Sequence, residues 1–321
     1  MSYIAVVKNG VFHPLIGQKV YYGGSWHTLS ATDSMFVSGK RHVIGDPSDI
    51  SNVRDDRGSF LVRGFYSISC LYFSSNGFKM YVCGTRSCGS DSFVYQYALS
   101  AAWDISTVSN DNISFGPGLE NVPHYTLDGK VIITCLHFSP DGLKMYVAGI
   151  GDSIVYQYAL STAWDISTAT YSDTSFYHGS EDVYANGLFF SPDGLKLYIG
   201  GNNHKTIYQY TLSTAWDIST ASYSDTSFYH GLILAESPLD TICYGPLFSP
   251  DGLKMYMATN VDETIYQYTL STAWDVSTAS YHDLYRGRHV GNLEGLYLNF
   301  DVQKMYTLVG IEELHQYSII A

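Results

Sequence analysis

The sequence predicts an all-β protein: a five-bladed β-propeller of four-stranded antiparallel blades, closed by an N-terminal strand and preceded by a small β-hairpin module. Three observations predict it. The string SPDGLKMY occurs at Ser139–Tyr146 and again at Ser249–Tyr256, with SPDGLKLY at Ser191–Tyr198. It sits inside a four-strand unit that recurs at intervals of roughly 50–65 residues, a spacing that suits propeller blades. The last copy then stops one strand short, and the other end of the chain holds a match for the missing strand.

Each unit opens with an apolar strand ending in a turn: CLYFSSNG (70–77), CLHFSPDG (135–142), GLFFSPDG (187–194), GPLFSPDG (245–252) and a degraded GLYLNFDV (295–302). In that turn proline presets φ at the second position, aspartate is at ease at the third, and glycine accepts positive φ at the exit. A second strand follows at once, as in LKMYVAG. A third follows a short loop: VYQYALS twice, IYQYTLS twice and LHQYSII at the C-terminus. The fourth is introduced by AWDIST or AWDVST. Short strands, turn-rich joins and the lack of a helical period all point to a β fold.

Ring closure is an independent check. The fifth copy ends with its third strand, at the C-terminus. Upstream of the first copy, GDPSDISNVRDDRGSF (45–60) places Asp49-Ile50-Ser51 against Asp165-Ile166-Ser167, and Ser59-Phe60 against Ser175-Phe176. Residues 45–63 therefore read as the outer strand of the last blade, and 45–321 as the propeller. Closure from both ends removes an edge that would otherwise invite aggregation.

Residues 1–44 fall outside the ring. IAVVKNGVFHPL, KVYYGGSWHTLS and MFVSGKRHVI read as three hairpins turning at Asn9-Gly10, Gly23-Gly24 and Ser38-Gly39. Isolated hairpins are marginal in water, so a module that docks on a partner is the natural reading.

Composition bounds the function. A net charge of −13 over 321 residues argues against nucleic acid, whose backbone demands a basic face. No run approaches the roughly 18 apolar residues of a membrane helix, so membrane insertion is not expected. MSYIAVVKNGVFHPL lacks the basic and apolar regions of a secretory signal. Cys70, Cys83, Cys88, Cys135 and Cys243 show no metal or disulfide framework; Cys83 and Cys88 are near enough to bridge a loop, but five reduced thiols is the favoured reading. No metal or phosphate motif is present, so neither metal nor cofactor is expected.

Residues identical in every copy read as scaffold. Lys79, Lys144, Lys196, Lys254 and Lys304 are expected to lay their stems on tyrosines with heads in water. Gln96, Gln157, Gln209, Gln267 and Gln316 are expected to form a buried amide network. Trp103, Trp164, Trp216 and Trp274 are expected to pack blade on blade; the closing strand has Ser48 in that slot. The turn residues Asp141, Asp193 and Asp251 are favoured for backbone reasons.

Function is expected where the copies disagree. The loops joining blades, and those joining second to third strands, share one face of a propeller. They carry His124, Tyr125, Tyr184, Asn202, Asn203, His204, Glu236, Arg288 and His289 among Gly and Pro. A rigid frame bearing diverse polar and aromatic loops suits a glycan or protein epitope. A glycosidase would need two carboxylates about 5–9.5 Å apart. Glu181, Asp182, Glu236, Asp240 and Glu294 are available, but no spacing singles out a pair, and an enzyme is not expected.

The strings SPDGLKMYV and IYQYTLSTAWDISTASY, with the SF that ends the fourth strands, resemble a β-propeller repeat family common in tail-fibre-like and other virion proteins of marine bacteriophages and in bacterial surface proteins. The resemblance covers residues 45–321. KVYYGGSWHTLS looks like the short VYVGGAW hairpins of phage tail and fibre proteins, which makes Val20, Tyr21, Tyr22 and Trp26 the implied docking residues. The resemblance implies a virion protein of tail-fibre or adhesin type, made in the host cytoplasm and carried on the particle as a homo-oligomer. Residues 1–44 would contact other virion proteins, and the propeller loops a host surface glycan or protein. A non-adhesive decoration or fibre-base protein is the alternative, and a glycan-active enzyme a third reading.

Overall fold

The computed structural model describes strands within residues 5–43 and the chain over residues 53–62, 65–85, 92–116, 132–231, 242–260, 264–286, 293–310 and 313–319. Five four-stranded antiparallel sheets form the ring. Their innermost strands are Ser67–Phe73, Ile132–Phe138, Ala185–Phe190, Cys243–Phe248 and Leu293–Asn299. The fifth sheet takes its outer strand, Val53–Leu61, from the N-terminal side, with Gln316 opposite Gly58 and Ile319 opposite Val53. The closure read from sequence is therefore present.

The three N-terminal hairpins join into one six-stranded sheet, in which Ala5–Lys8 pairs with Ser34–Val37 and Val11–Ile16 with Lys19–Tyr22. In the second hairpin, Tyr21 lies opposite Trp26 and Val20 opposite His27.

The core lies between blades. In the second strand Lys144–Ile150, every residue from Met145 to Gly149 is buried, because neighbouring blades cover both faces. Tyr81, Tyr146, Tyr198, Tyr256 and Tyr306 are fully buried there. A buried phenol needs a partner for its hydroxyl. Tyr146 Oη donates to the Trp216 carbonyl of the next blade at 2.6 Å, and Tyr198 Oη to that of Trp274 at 2.8 Å.

The repeated lysines depart from expectation. Lys79, Lys144 and Lys196 donate to the carbonyls of Trp164, Trp216 and Trp274 at 3.0, 2.8 and 2.9 Å, so the ammonium caps the next blade instead of sitting in water. The cause is local. Each tryptophan sits in the turn after the third strand with φ between 60° and 65°, and its carbonyl is left to the neighbouring blade. Lys304 differs, pairing with Asp56 of the closing strand.

Four of the five glutamines behave as expected. Gln96, Gln157, Gln209 and Gln316 accept the backbone N–H of Ile166, Ile218, Val276 and Ile105. Those N–H groups belong to single 3₁₀ turns, such as Ile166–Thr168, too short to leave a helical period in the sequence. Asp104, Asp165, Asp217 and Asp275 cap them by accepting from the serine N–H two residues on.

The tryptophans are structural too. Gly142 has φ of 71°, and a Cβ there would fall 2.4 Å from the Trp164 ring. The turn glycine thus serves both the turn and the close approach of the indole. Asp141 Oδ1 accepts from Ser139 Oγ and the Leu143 N–H, confirming its backbone role.

Candidate functional site

On the variable face, the structure gathers Tyr184, Asn202, Asn203 and His204 around a residue treated in the sequence only as one available acid. Asp182 is buried, and its carboxylate accepts three backbone N–H bonds: Tyr184 at 3.0 Å, Asn203 at 3.2 Å and His204 at 2.8 Å. One buried carboxylate so ties the inter-blade loop to the neighbouring 202–205 turn. Asn202 N–H donates to the Tyr184 carbonyl at 3.0 Å, completing the join.

The imidazole of His204 stands above this anchor. Its Nδ1 donates to the Glu181 carbonyl at 2.8 Å, which leaves Nε2 to accept from Asn203 Nδ2 at 3.3 Å. Tyr184 is 40% exposed, and Tyr177 and Tyr229, ending two outer strands, are 61% and 52% exposed. The result is a held polar-aromatic platform. His124, Tyr125, Glu236, Arg288 and His289 lie outside the described residues, as does Cys88; Cys70, Cys83, Cys135 and Cys243 form no disulfide among the described residues.

The carboxylates do other work. Asp182 is saturated by backbone donors, and Glu181 Oε2 accepts from Tyr210 Oη at 3.3 Å. Glu294 is different. Burial pushes its carboxyl up to about 7, against a backbone hydrogen bond at Ile68, and its Oε2 has no partner among the described residues. Glu236 and Asp240 lie outside the described residues.

A second feature lies on the ring axis, in residues read as scaffold. A cavity of about 360 Å³ runs along the inner strands, from the turn residues Pro140, Pro192 and Pro250, past all four repeat tryptophans, to Ser69, Thr134, Asn186 and Tyr244. One inner-strand position makes an aromatic belt around it: Tyr297, Tyr72, His137 and Phe189 meet edge to face at 5.2–5.5 Å between centroids. From the next blade a tryptophan lies parallel to a belt ring in three places: Trp103 on Tyr297, Trp216 on His137 and Trp274 on Phe189, at 6.2–6.4 Å. Burial drops the His137 imidazole to about 3, so it is a neutral ring.

Beyond the belt, the register of every inner strand shifts: at Ser69, Thr134, Asn186 and Glu294, and after Tyr244. Bulges re-aim side chains and often border functional sites. This polar collar escaped the sequence reading, although its signal was present: each copy places Ser, Thr, Asn, Tyr or Glu before the Cys or Gly of an apolar strand.

No family model matches the chain, and no curated protein does. Among solved structures it is similar to a Bacteroides uniformis protein put forward as a 6-phosphogluconolactonase, with 13% identity, a TM-score of 0.46, and coverage of 87% of this chain and 71% of that one. A chain of the Mitotic Checkpoint Complex gives 10% identity, a TM-score of 0.45 and 91% and 85% coverage. The Cps50 (Swd1) β-propeller domain of Myceliophthora thermophila gives 11%, 0.43, and 94% and 80%. Likeness this remote carries no inference about activity.

Proposed function

We propose that this protein is a non-catalytic binding module, a phage virion protein of tail-fibre or adhesin type that contacts the host surface, a glycan or protein, through its variable loops. The observation that supports the binding half is the Asp182 anchor. It holds Asn203 and His204 in place from below and leaves their side chains displayed, an arrangement suited to recognition with little ordering cost. The virion half rests on the resemblance of the repeats, and the N-terminal sheet is the docking element. Immunogold labelling of particles from a lysate containing the protein tests it. Label at a tail tip or on fibres is expected, and no label on any particle overturns the virion reading.

The decoration alternative is favoured by a different observation. Phe78, Leu143, Leu195 and Leu253, each following a turn glycine, are 40–47% exposed on the invariant face. An apolar ring of that kind suits contact with other virion subunits. Label along a capsid or tail shaft is its expected outcome.

A further inference from the structure

We propose that the axial cavity is a binding site for a small, neutral, polyhydroxylated ring, such as the terminal unit of a saccharide, entering from the SPDG-turn face and independent of the variable loops.

The size fits a small ligand or the end of a longer one, since about 360 Å³ lies at the low end of the range of about 300–1,000 Å³ for small-molecule pockets. The chemistry of the wall narrows the class. Among the described residues no lysine or arginine lines the cavity, and Asp301 stands at its rim, so an anion meets no countercharge there. The belt offers flat apolar rings, the surface on which the C–H face of a sugar ring packs.

The collar then decides between a hydroxylated ligand and a purely apolar or cationic one. Asn186 lines the cavity and is 5% exposed, and its amide opens onto the cavity. An amide facing the cavity presents both a donor and an acceptor to whatever enters it. A hydroxyl supplies both, whereas an ammonium only donates. Glu294 stands two bulge positions further around the ring, just outside the cavity lining, and its buried Oε2 lacks a partner among the described residues. Five bulges at one level are a consistent means of placing polar side chains inside an otherwise apolar funnel.

The test uses the full chain and methyl glucoside, galactoside and mannoside, with N-acetylneuraminic acid and choline as charged probes. Binding is followed by saturation-transfer NMR and tryptophan fluorescence. At least one neutral glycoside is expected to bind and to change the tryptophan signal. Asn186→Ala is expected to raise Kd at least tenfold. Leu247→Tyr supplies a second variant that keeps the fold, because Tyr72 and Tyr297 occupy the same slot in other blades; by narrowing the cavity it is also expected to raise Kd at least tenfold. The double change Tyr184→Ala/His204→Ala is expected to leave this binding unchanged, so failure of the loop-face reading and of this one are distinguishable. Binding of choline alone, of no probe, or equally by wild type and both cavity variants overturns the proposal.

Discussion

The carboxamide oxygen of Gln96 accepts the backbone N–H of Ile166, 3.2 Å away in the next blade. The same bond joins Gln316 of the last blade to Ile105 of the first at 3.0 Å, so the contact that builds the ring also closes it. Both glutamines are buried, and no water can replace a lost acceptor cheaply.

Gln96→Leu is therefore expected to destabilise the protein by about 1–3 kcal/mol, the cost of stranding a buried N–H. Urea unfolding measures it. A loss below about 0.5 kcal/mol would mean that the 3₁₀ turn finds another acceptor.

Gly142→Ala is expected to be worse, above about 3 kcal/mol, because positive φ and a Cβ 2.4 Å from the Trp164 ring act together. Gly310 is the control: its φ is 58°, but nothing lies within 4 Å of its would-be Cβ. Gly310→Ala should cost only the backbone strain, about 1 kcal/mol. Thermal melts of the two variants separate clash from strain.

The scaffold was legible because repetition amplifies weak signals. One FSPDG turn is an ordinary hairpin hint, but three copies with one degraded copy at each end set the blade count. What repetition could not convey was direction. Lys144 and Trp216 are 72 positions apart, and nothing in the string says that Trp216 takes an αL backbone and leaves its carbonyl to the ammonium. Repetition also misled, because the belt and collar positions vary from copy to copy inside an inner strand that otherwise repeats, and variation was sought in the loops. Leu247 carried a clue. It is the belt's non-aromatic member, and it precedes the blade whose tryptophan slot holds Ser48.

Closure of the ring depends on Asp56. Burial opposes its charge, but hydrogen bonds from Lys304, Ser318 and Gln316 outweigh that and hold its carboxyl below the usual value. A lowered folded pKa contributes stability that is present above the unfolded value near 3.9 and lost as pH falls through the folded one. Asp56→Ala is expected to lower the melting temperature at pH 7, with the gap to wild type closing below about pH 4. A gap constant with pH would show that packing, not the carboxylate, holds the strand.

His137 acts over a different window. Its folded imidazole titrates near 3, as does that of His230, both because burial disfavours the cation. The unfolded chain takes up those protons near pH 6.5, so stability should fall as pH drops from 6.5 toward 3, by on the order of 2–3 kcal/mol per imidazole by pH 4.5. His137→Phe removes one titration and keeps a ring, as Phe189 does in the next blade. The variant is expected to fold and to lose less stability between pH 7 and pH 4.5 than wild type. An unchanged slope in acid denaturation would assign the proton uptake elsewhere.

The Asp182 anchor predicts a local failure within an intact ring. Asp182→Ala leaves the N–H groups of Tyr184, Asn203 and His204 without their acceptor, yet removes nothing from the strand ladders or from the glutamine and tryptophan contacts between blades. A charge-assisted bond is worth about 1.5–3 kcal/mol, enough to free a surface turn whose own hydrophobic contacts are few. Amide exchange at Asn203 and His204 should rise at least tenfold, while exchange in the buried strand Lys196–Gly201 stays at its wild-type rate. Asp182→Asn should fall between, because an amide oxygen accepts the same bonds without the charge. If both variants instead accelerated exchange throughout the blade, the carboxylate would be supporting the propeller itself. The display of His204 and Asn203 would then be a by-product of a structural residue.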